Sequence, residues 1–344
     1  MNTVIATHSF WPTVGGVSTN VSVLAEAFKD AGHDVTVVSI DPGPTDGYGY
    51  AVVRNPDPLT LFDLYAHADI LVLSNLAIRL IYPLLLLRRP FALRHHSESA
   101  FRLGGSLLSL NVLRRSVMRR AKHFVTSEYI GRKSGLREYV VTRPFANPHH
   151  IDPGIWVPSE QRAGALFAGR LEPEKGILYL LDRWPHIKET LKVSELRIAG
   201  DGSLRSAIQH RFSARLDGVR YLGLLPLDRL AQEMARSAFV LVPSLWDEPF
   251  GAVALEAVAA GALVVASNRG GLPEATGELG FLYDPDDPLS FQSALHDARR
   301  VLDCLLQDPE ERSLRERVTM KHVANFAPSA VVDKIITALS CSAL

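Results

Sequence analysis

The chain has 344 residues, 47% of them hydrophobic, and its 37 Lys and Arg are balanced by 37 Asp and Glu. That length accommodates two domains with separate cores, and the even balance excludes a whole-molecule pull toward nucleic acid. Two cysteines, Cys304 and Cys341, without metal-ligand spacing argue against a disulfide framework and for a reducing compartment.

The opening MNTVIATHSF lacks a basic segment and reads as a first strand rather than a signal peptide. The stretch Leu76 to Leu87, the most apolar, contains Arg79 and Pro83 and is too short to span a bilayer. The expected location is the cytoplasm, with peripheral contact at the inner face of a membrane as an extension of that reading.

In chain order, the predicted strands of the first half are Thr3–Ala6, Asp34–Ile40, Asp69–Leu73, Pro90–Arg94, His123–Ser127 and Tyr139–Thr142. Amphipathic patterns at Val17–Ala31 and Leu107–Ala121 predict helices between them. In the second half the strands are Ala165–Ala168, Glu195–Ala199, Val219–Leu222, Phe239–Val242 and Leu263–Ala266, each followed by a helical pattern. Such alternation predicts an α/β protein of parallel sheets with helices on both faces. About ten strands strain one twisted sheet, so two doubly wound, Rossmann-like domains facing across a cleft are expected. The prolines, Asn147 and Gly154 between Pro144 and Pro158 mark the boundary. The domains are therefore expected at 1–155 and 156–325, with 326–344 as a terminal helical segment.

Chemistry concentrates at strand ends. PSLWDEPFGAVALEAVAAG, Pro243 to Gly261, leaves a strand, crosses a loop and enters a helix near Phe250. A helix opening with Gly251 and small residues leaves free backbone N–H groups that suit a diphosphate. Glu256, read as two turns into the helix, is placed for a ribose diol, and Glu248 for sugar hydroxyls. Either glutamate alone would read as an ordinary surface charge; the pair around a Gly-opened helix favours a site.

GRLEPEKG, Gly169 to Gly176, places Arg170 and Lys175 in one strand-to-helix loop. Both either converge on phosphate oxygens, neutralising a departing nucleoside diphosphate, or pair with Glu172 and Glu174 at the surface. Gly15 and Gly16 form a Gly-rich turn before a helix. AGDG at Ala199 to Gly202 reads as structural, and SNRGGLPE, Ser267 to Glu274, as loop chemistry near the phosphate. His95 and His96 follow the strand Pro90–Arg94. No DxD, HExxH, Cys cluster, G-x-S-x-G elbow or Walker A motif is present. The apolar and basic segment 103–122 carries Arg114, Arg115, Arg119, Arg120 and Lys122. It reads either as a solvated face on a core helix or as a contact for anionic lipid.

The ordered set GGVS, HS, GRLxxxKG, AGDG, PSxWxEPFG-x4-EA-x3-G and GGLPE, running from Gly15 to about Asp284, resembles the GT4 family of glycosyltransferases. The resemblance implies a GT-B fold, retention of anomeric configuration, no metal or other cofactor, and a C-terminal helix, Pro328 to Leu339, crossing back to the first domain. It implies that Arg170 and Lys175 bind the distal phosphate and Glu256 the ribose. Glu248 and the backbone of Phe250, Gly251, Ala252 and Val253 then hold sugar and diphosphate, and Gly15 and Gly16 border the donor. The family's active-site histidine maps to His96, with His95 as the alternative register. The implied partners are a UDP- or GDP-linked hexose and a glycan or lipid-linked acceptor in cell-surface polysaccharide assembly. A nucleotide-sugar epimerase, a phosphorylase and a non-catalytic nucleotide-sugar-binding subunit share the fold and remain alternatives. An NAD-dependent oxidoreductase is disfavoured, because no G-x-G-x-x-G follows the first strand.

Overall fold

The structure is a computed structural model that describes residues 1–13, 16–97, 111–145, 156–211 and 217–340. It divides into two compact units, Met1–Phe145 with Phe326–Leu344, and Ala146–Asn325. The division falls ten residues before the expected 155/156 boundary, and the intervening 146–155 lie outside the described residues.

The first unit contains β1 (Asn2–Thr7), α1 (Gly16–Asp30), β2 (Asp34–Ser39), β3 (Ala51–Arg54), α2 (Pro58–His67) and β4 (Ile70–Ser74). There follow α3 (Ile78–Ile81), α4 (Pro83–Leu86), β5 (Ala92–His95), α5 (Asn111–Met118), β6 (Lys122–Val125), α6 (Glu128–Ser134) and β7 (Val140–Val141). All seven strands are parallel, in the order β3-β2-β1-β4-β5-β6-β7. Alternation along β1 shows why both faces must be covered. Val4 and Ala6 enter one core with Leu71, Leu73 and Leu93; Ile5 enters the other with Val37, Val72 and Ala92.

The second unit contains β8 (Ala165–Ala168), α7 (Ile177–Asp182), α8 (Trp184–Leu191), β9 (Leu196–Ala199), α9 (Arg205–Arg211), β10 (Val219–Gly223) and α10 (Leu227–Ala235). Next come β11 (Phe239–Val242), α11 (Ala252–Ala259), β12 (Leu263–Ser267), α12 (Leu272–Thr276), β13 (Gly280–Tyr283), α13 (Pro288–Gln307) and α14 (Pro309–Ala324). Its six parallel strands run β10-β9-β8-β11-β12-β13. The last helix, α15 (Pro328–Ser340), puts Val331, Val332, Ile335 and Leu339 into the core of the first unit, with Val21, Leu24 and Phe28 of α1.

The α/β class and the two parallel, doubly wound sheets agree with the sequence reading. Two strands were not predicted: β3 and β13, both at sheet edges. Edge strands expose one flank, and these are short and only partly buried, so their apolar runs are weak. Helix α5 ends at Met118, before the expected Ala121, and residues 98–110, including Leu103, Leu107, Leu108 and Leu110, lie outside the described residues. Among the described residues, no helix is long and apolar enough to cross a membrane.

Candidate nucleotide-sugar site

Each sheet reverses its strand order once, between β1 and β4 and between β8 and β11. Loops leaving the carboxyl ends of strands at such a switch point diverge and leave a crevice for a ligand. In the second unit those two loops are Gly169–Gly176, after β8, and Pro243–Gly251, after β11, the segments that carry most of the predicted residues.

The two loops are fastened to each other by backbone. The amide of Leu245 donates to the carbonyl of Glu174 at 2.9 Å. Gly176 holds a left-handed φ of 72°, and a Cβ there would lie 1.8 Å from the Pro243 carbonyl oxygen, so no larger residue fits. Pro173–Lys175 forms a short 3-10 turn that ends at Gly176 and aims Lys175 across to the second loop. Its Nζ donates to Oε1 of Glu248 at 2.6 Å and lies 5.0 Å from the centre of the Trp246 ring. Both charges are largely buried, with 19% of the Lys175 side chain and 7% of the Glu248 side chain exposed.

Glu248 is held from three sides. Ser244 Oγ donates to its Oε1 at 2.7 Å, and Ser267 Oγ in turn donates to the Ser244 carbonyl at 2.7 Å. Gly271 N–H donates to the Glu248 carbonyl at 2.7 Å. A Cβ at Gly270, whose φ is 59°, would come within 2.1 Å of that same oxygen. The GGLPE turn is thus a brace for Glu248. Among the described residues, Oε2 of Glu248 receives no hydrogen bond, and two of the three Lys175 ammonium protons have no acceptor. An acceptor and two donors are therefore free for a ligand.

Helix α11 starts later than expected. Gly251, with φ 92° and ψ 56°, is its N-cap, and the first helical residue is Ala252 rather than one near Phe250. The amides of Ala252 and Val253 have no intrahelical acceptor and form the positive end of the helix. Phe250 is buried at 3% exposure and anchors the turn. Glu256 is consequently the fifth helical residue, just over one turn in, not two. Although part of it reaches solvent, the packing around it pushes its carboxyl up to about 7 by burial. It has no hydrogen-bond or ion-pair partner among the described residues.

Arg170 behaves differently. Its guanidinium pairs with Glu174 at 3.2 Å while 64% of the side chain is exposed. Among the described residues it makes no bond to Glu248; it adopts the surface pairing that the sequence reading kept as the alternative. Glu172 is occupied elsewhere, accepting from Ser203 N at 3.1 Å and Ser203 Oγ at 2.5 Å. In AGDG, a Cβ at Gly200 would lie 1.9 Å from the Gly169 carbonyl oxygen, so this turn seats the Arg170 loop from below.

In the first unit, Gly16 opens α1 and is exposed, whereas Gly15 lies outside the described residues. His95 is buried in β5, where its Nε2 lies 2.9 Å from His123 Nδ1 and the rings stack. Burial, then His123, lowers its pKa to about 3, so it stays neutral. His96 hydrogen-bonds through its backbone to Asn75 Oδ1 at 3.3 Å. Its Nε2 has no partner among the described residues. Burial first, then the neighbouring Arg94, His95 and His8, push its pKa well down. A neutral imidazole with an unsatisfied ring nitrogen is suited to one hydrogen bond with a bound group. The two adjacent histidines thus differ: the His95 ring is tied through Nε2 to His123, whereas the hydrogen bond of His96 runs through its backbone.

Sequence reasoning missed Ser244 and Trp246. Both stand as fixed letters in PSxWxEPFG, a signal that could have drawn attention to them, although neither the Ser244–Glu248 bond nor the Lys175–Trp246 ring contact was expected. Among the described residues, no three His, Cys, Asp or Glu side chains are grouped to hold a metal ion.

Residues 162–299 match the family described as Glycosyl transferases group 1. The chain is 35% identical over 199 residues to a glycogen synthase of Mycobacterium tuberculosis, covering 54% of this chain and 45% of that protein. It is 31% identical over 215 residues to a D-inositol 3-phosphate glycosyltransferase of Corynebacterium diphtheriae, covering 57% of this chain and 48% of that one. The chain thus spans about half the length of the curated relatives it matches. Its fold is shared with a glycosyltransferase from Rickettsia africae, with a TM-score of 0.74 at 16% identity, over 98% of this chain and 97% of that one. Anabaena HepE, solved with UDP and glucose, aligns with a TM-score of 0.71 at 18% identity, over 99% of each chain. Residues 162–299 thus resemble group 1 glycosyltransferases, and the two parallel α/β sheets share the fold of these solved structures.

Proposed function

We propose that the protein is a retaining glycosyltransferase, moving a hexosyl group from a UDP- or GDP-linked sugar to a glycan or lipid-linked saccharide without a metal. The observation that carries the reading is the Lys175–Glu248 pair beside the Gly251-capped start of α11, at the switch point of the second sheet. In this reading the diphosphate lies against the amides of Ala252 and Val253 and takes the free donors of Lys175. Arg170 swings from Glu174 to the distal phosphate, a small loss because exposed pairs are worth little. Glu256 accepts from the ribose diol, and Oε2 of Glu248 accepts from a sugar hydroxyl. On the first unit, His96 gives a hydrogen bond to substrate, and Gly15 and Gly16 border the donor.

The bond from the anomeric carbon to the diphosphate oxygen breaks as the acceptor oxygen bonds to the same face of that carbon. The acceptor's proton passes to the departing phosphate, giving the glycoside and a nucleoside diphosphate. Lys175 stabilises the charge that collects on the leaving group, a contact that strengthens as that charge grows toward the transition state. Glu248 positions and does not attack.

The test is release of UDP or GDP from a donor panel with and without acceptors, followed by NMR of the anomeric product. Acceptor-dependent release with retained configuration supports the reading. An inverted product rejects the mechanism, release without acceptor favours epimerisation or hydrolysis, and no release with any donor leaves a binding subunit.

A further inference from the structure

The stretch between Asp69 and Glu128 contains nine Arg and one Lys but a single acid, Glu98, in a chain whose charges cancel only as a whole. The fold gathers much of this charge on one face of the first unit. Helices α4 and α5 pack together there, and Val117 of α5 is fully buried in the core beneath. The other side of the same helices is not buried. Leu86 is 75% exposed, Val112 41% and Leu113 40%. Beside these side chains runs an open groove lined by Leu85, Arg88, Arg89, Ser116, Arg120 and Lys122.

The four cations of the groove fall into two pairs. Arg120 donates to the carbonyls of Leu84 and Leu87, and Arg89 to those of Tyr65, Ala66 and Ala68, so both are fixed as caps on helix ends. Arg88 and Lys122 are exposed and form no ion pair among the described residues. Asp69, the acid that opens the stretch, is occupied by the amide of Asn2 at 2.8 Å. A positive groove with two fixed and two free cations is complementary to phosphate esters. Exposed leucines on its rim have nothing to gain from a soluble polyanion, but each gains by entering an acyl layer.

We propose that this face docks on the surface of an anionic lipid bilayer, with headgroup phosphates in the groove and Leu86 and Leu113 at the level of the upper acyl chains. The proposal goes beyond the reaction proposed above and does not depend on it, since adsorption to lipid needs neither donor nor turnover.

The experiment is co-sedimentation of the intact protein with vesicles of phosphatidylcholine alone or with one-third phosphatidylglycerol. Binding is expected only to the anionic vesicles and should fall as salt is raised. Each cation at such a surface contributes about fivefold in partitioning, so Arg88→Gln with Lys122→Gln should weaken binding roughly 25-fold. Leu86→Ser should weaken it independently. All three positions are exposed, and unchanged circular-dichroism melting would confirm that the variants fold. Equal binding to both vesicle types overturns the proposal, as does a double variant that binds like the wild type. So does a protein that ignores anionic vesicles but binds an oligonucleotide.

Discussion

Lys175 and Glu248 are 73 residues apart in the chain, yet the ammonium nitrogen of one lies 2.6 Å from a carboxylate oxygen of the other. The pair exists because β8 and β11 are neighbours in the sheet and their loops leave on the same side. A cation held by a carboxylate is preorganised, and it keeps donors in reserve for a second anion.

Removing that cation should cost activity first. Lys175→Ala is expected to lower turnover by about two to three orders of magnitude, read as nucleoside diphosphate release under saturating donor. The same variant leaves Glu248 largely buried without its cation, so the melting temperature should fall as well. Glu248→Gln separates the effects: it should melt nearer the wild type but remain impaired in turnover. Wild-type turnover in Lys175→Ala would remove this residue from the mechanism.

Glu256 has a pH signature. Its folded pKa, near 7, exceeds the ordinary carboxyl value of 4.5, so the native state holds a proton that the unfolded chain releases. Its contribution to stability is therefore full below about pH 4.5 and is lost as pH rises through 7. Glu256→Gln removes that slope, and its melting temperature relative to the wild type should be higher at pH 8 than at pH 4. In binding, Glu256→Ala should weaken nucleoside diphosphate affinity about tenfold by calorimetry, the loss of one or two hydrogen bonds to a charged acceptor.

The histidine doublet should divide by experiment. His95→Ala opens the core beside His123 and should lower the melting temperature by several degrees. His96→Ala should leave stability nearly intact and reduce turnover. Comparable stability losses in both variants would show that His96 too is structural.

Two glycines with similar φ make a controlled comparison. Gly32 (φ 82°) has open space where a Cβ would sit, whereas at Gly176 (φ 72°) a Cβ meets the Pro243 carbonyl. Gly32→Ala should cost about 1 kcal/mol in urea unfolding from backbone strain alone. Gly176→Ala should cost clearly more, and should also impair turnover by displacing Lys175.

The α/β alternation and most strands were legible because strands inside a parallel sheet are buried on both faces and must be apolar throughout; β4 and β8 are buried along their whole length. The residues of the candidate site were legible as types, because a Gly-opened helix and a cation-bearing loop at strand ends announce themselves locally. Partnership was not. Nothing local in PSLWDEPFG says that Ser244 and Lys175 share one oxygen of Glu248, or that Gly271 braces its carbonyl. The same limit hid the contact of the His95 ring with His123, 28 residues away in the chain.

What the amino-acid order determines by itself here is periodicity, turn chemistry and the inventory of charges, all set by neighbours within a few residues. Which cation is spent on a surface glutamate, as Arg170 is, and which is held in reserve, as Lys175 is, was decided only when parallel strand order brought distant loops together. Burial then weighted those contacts, since an ion pair out of water matters and one in water barely does.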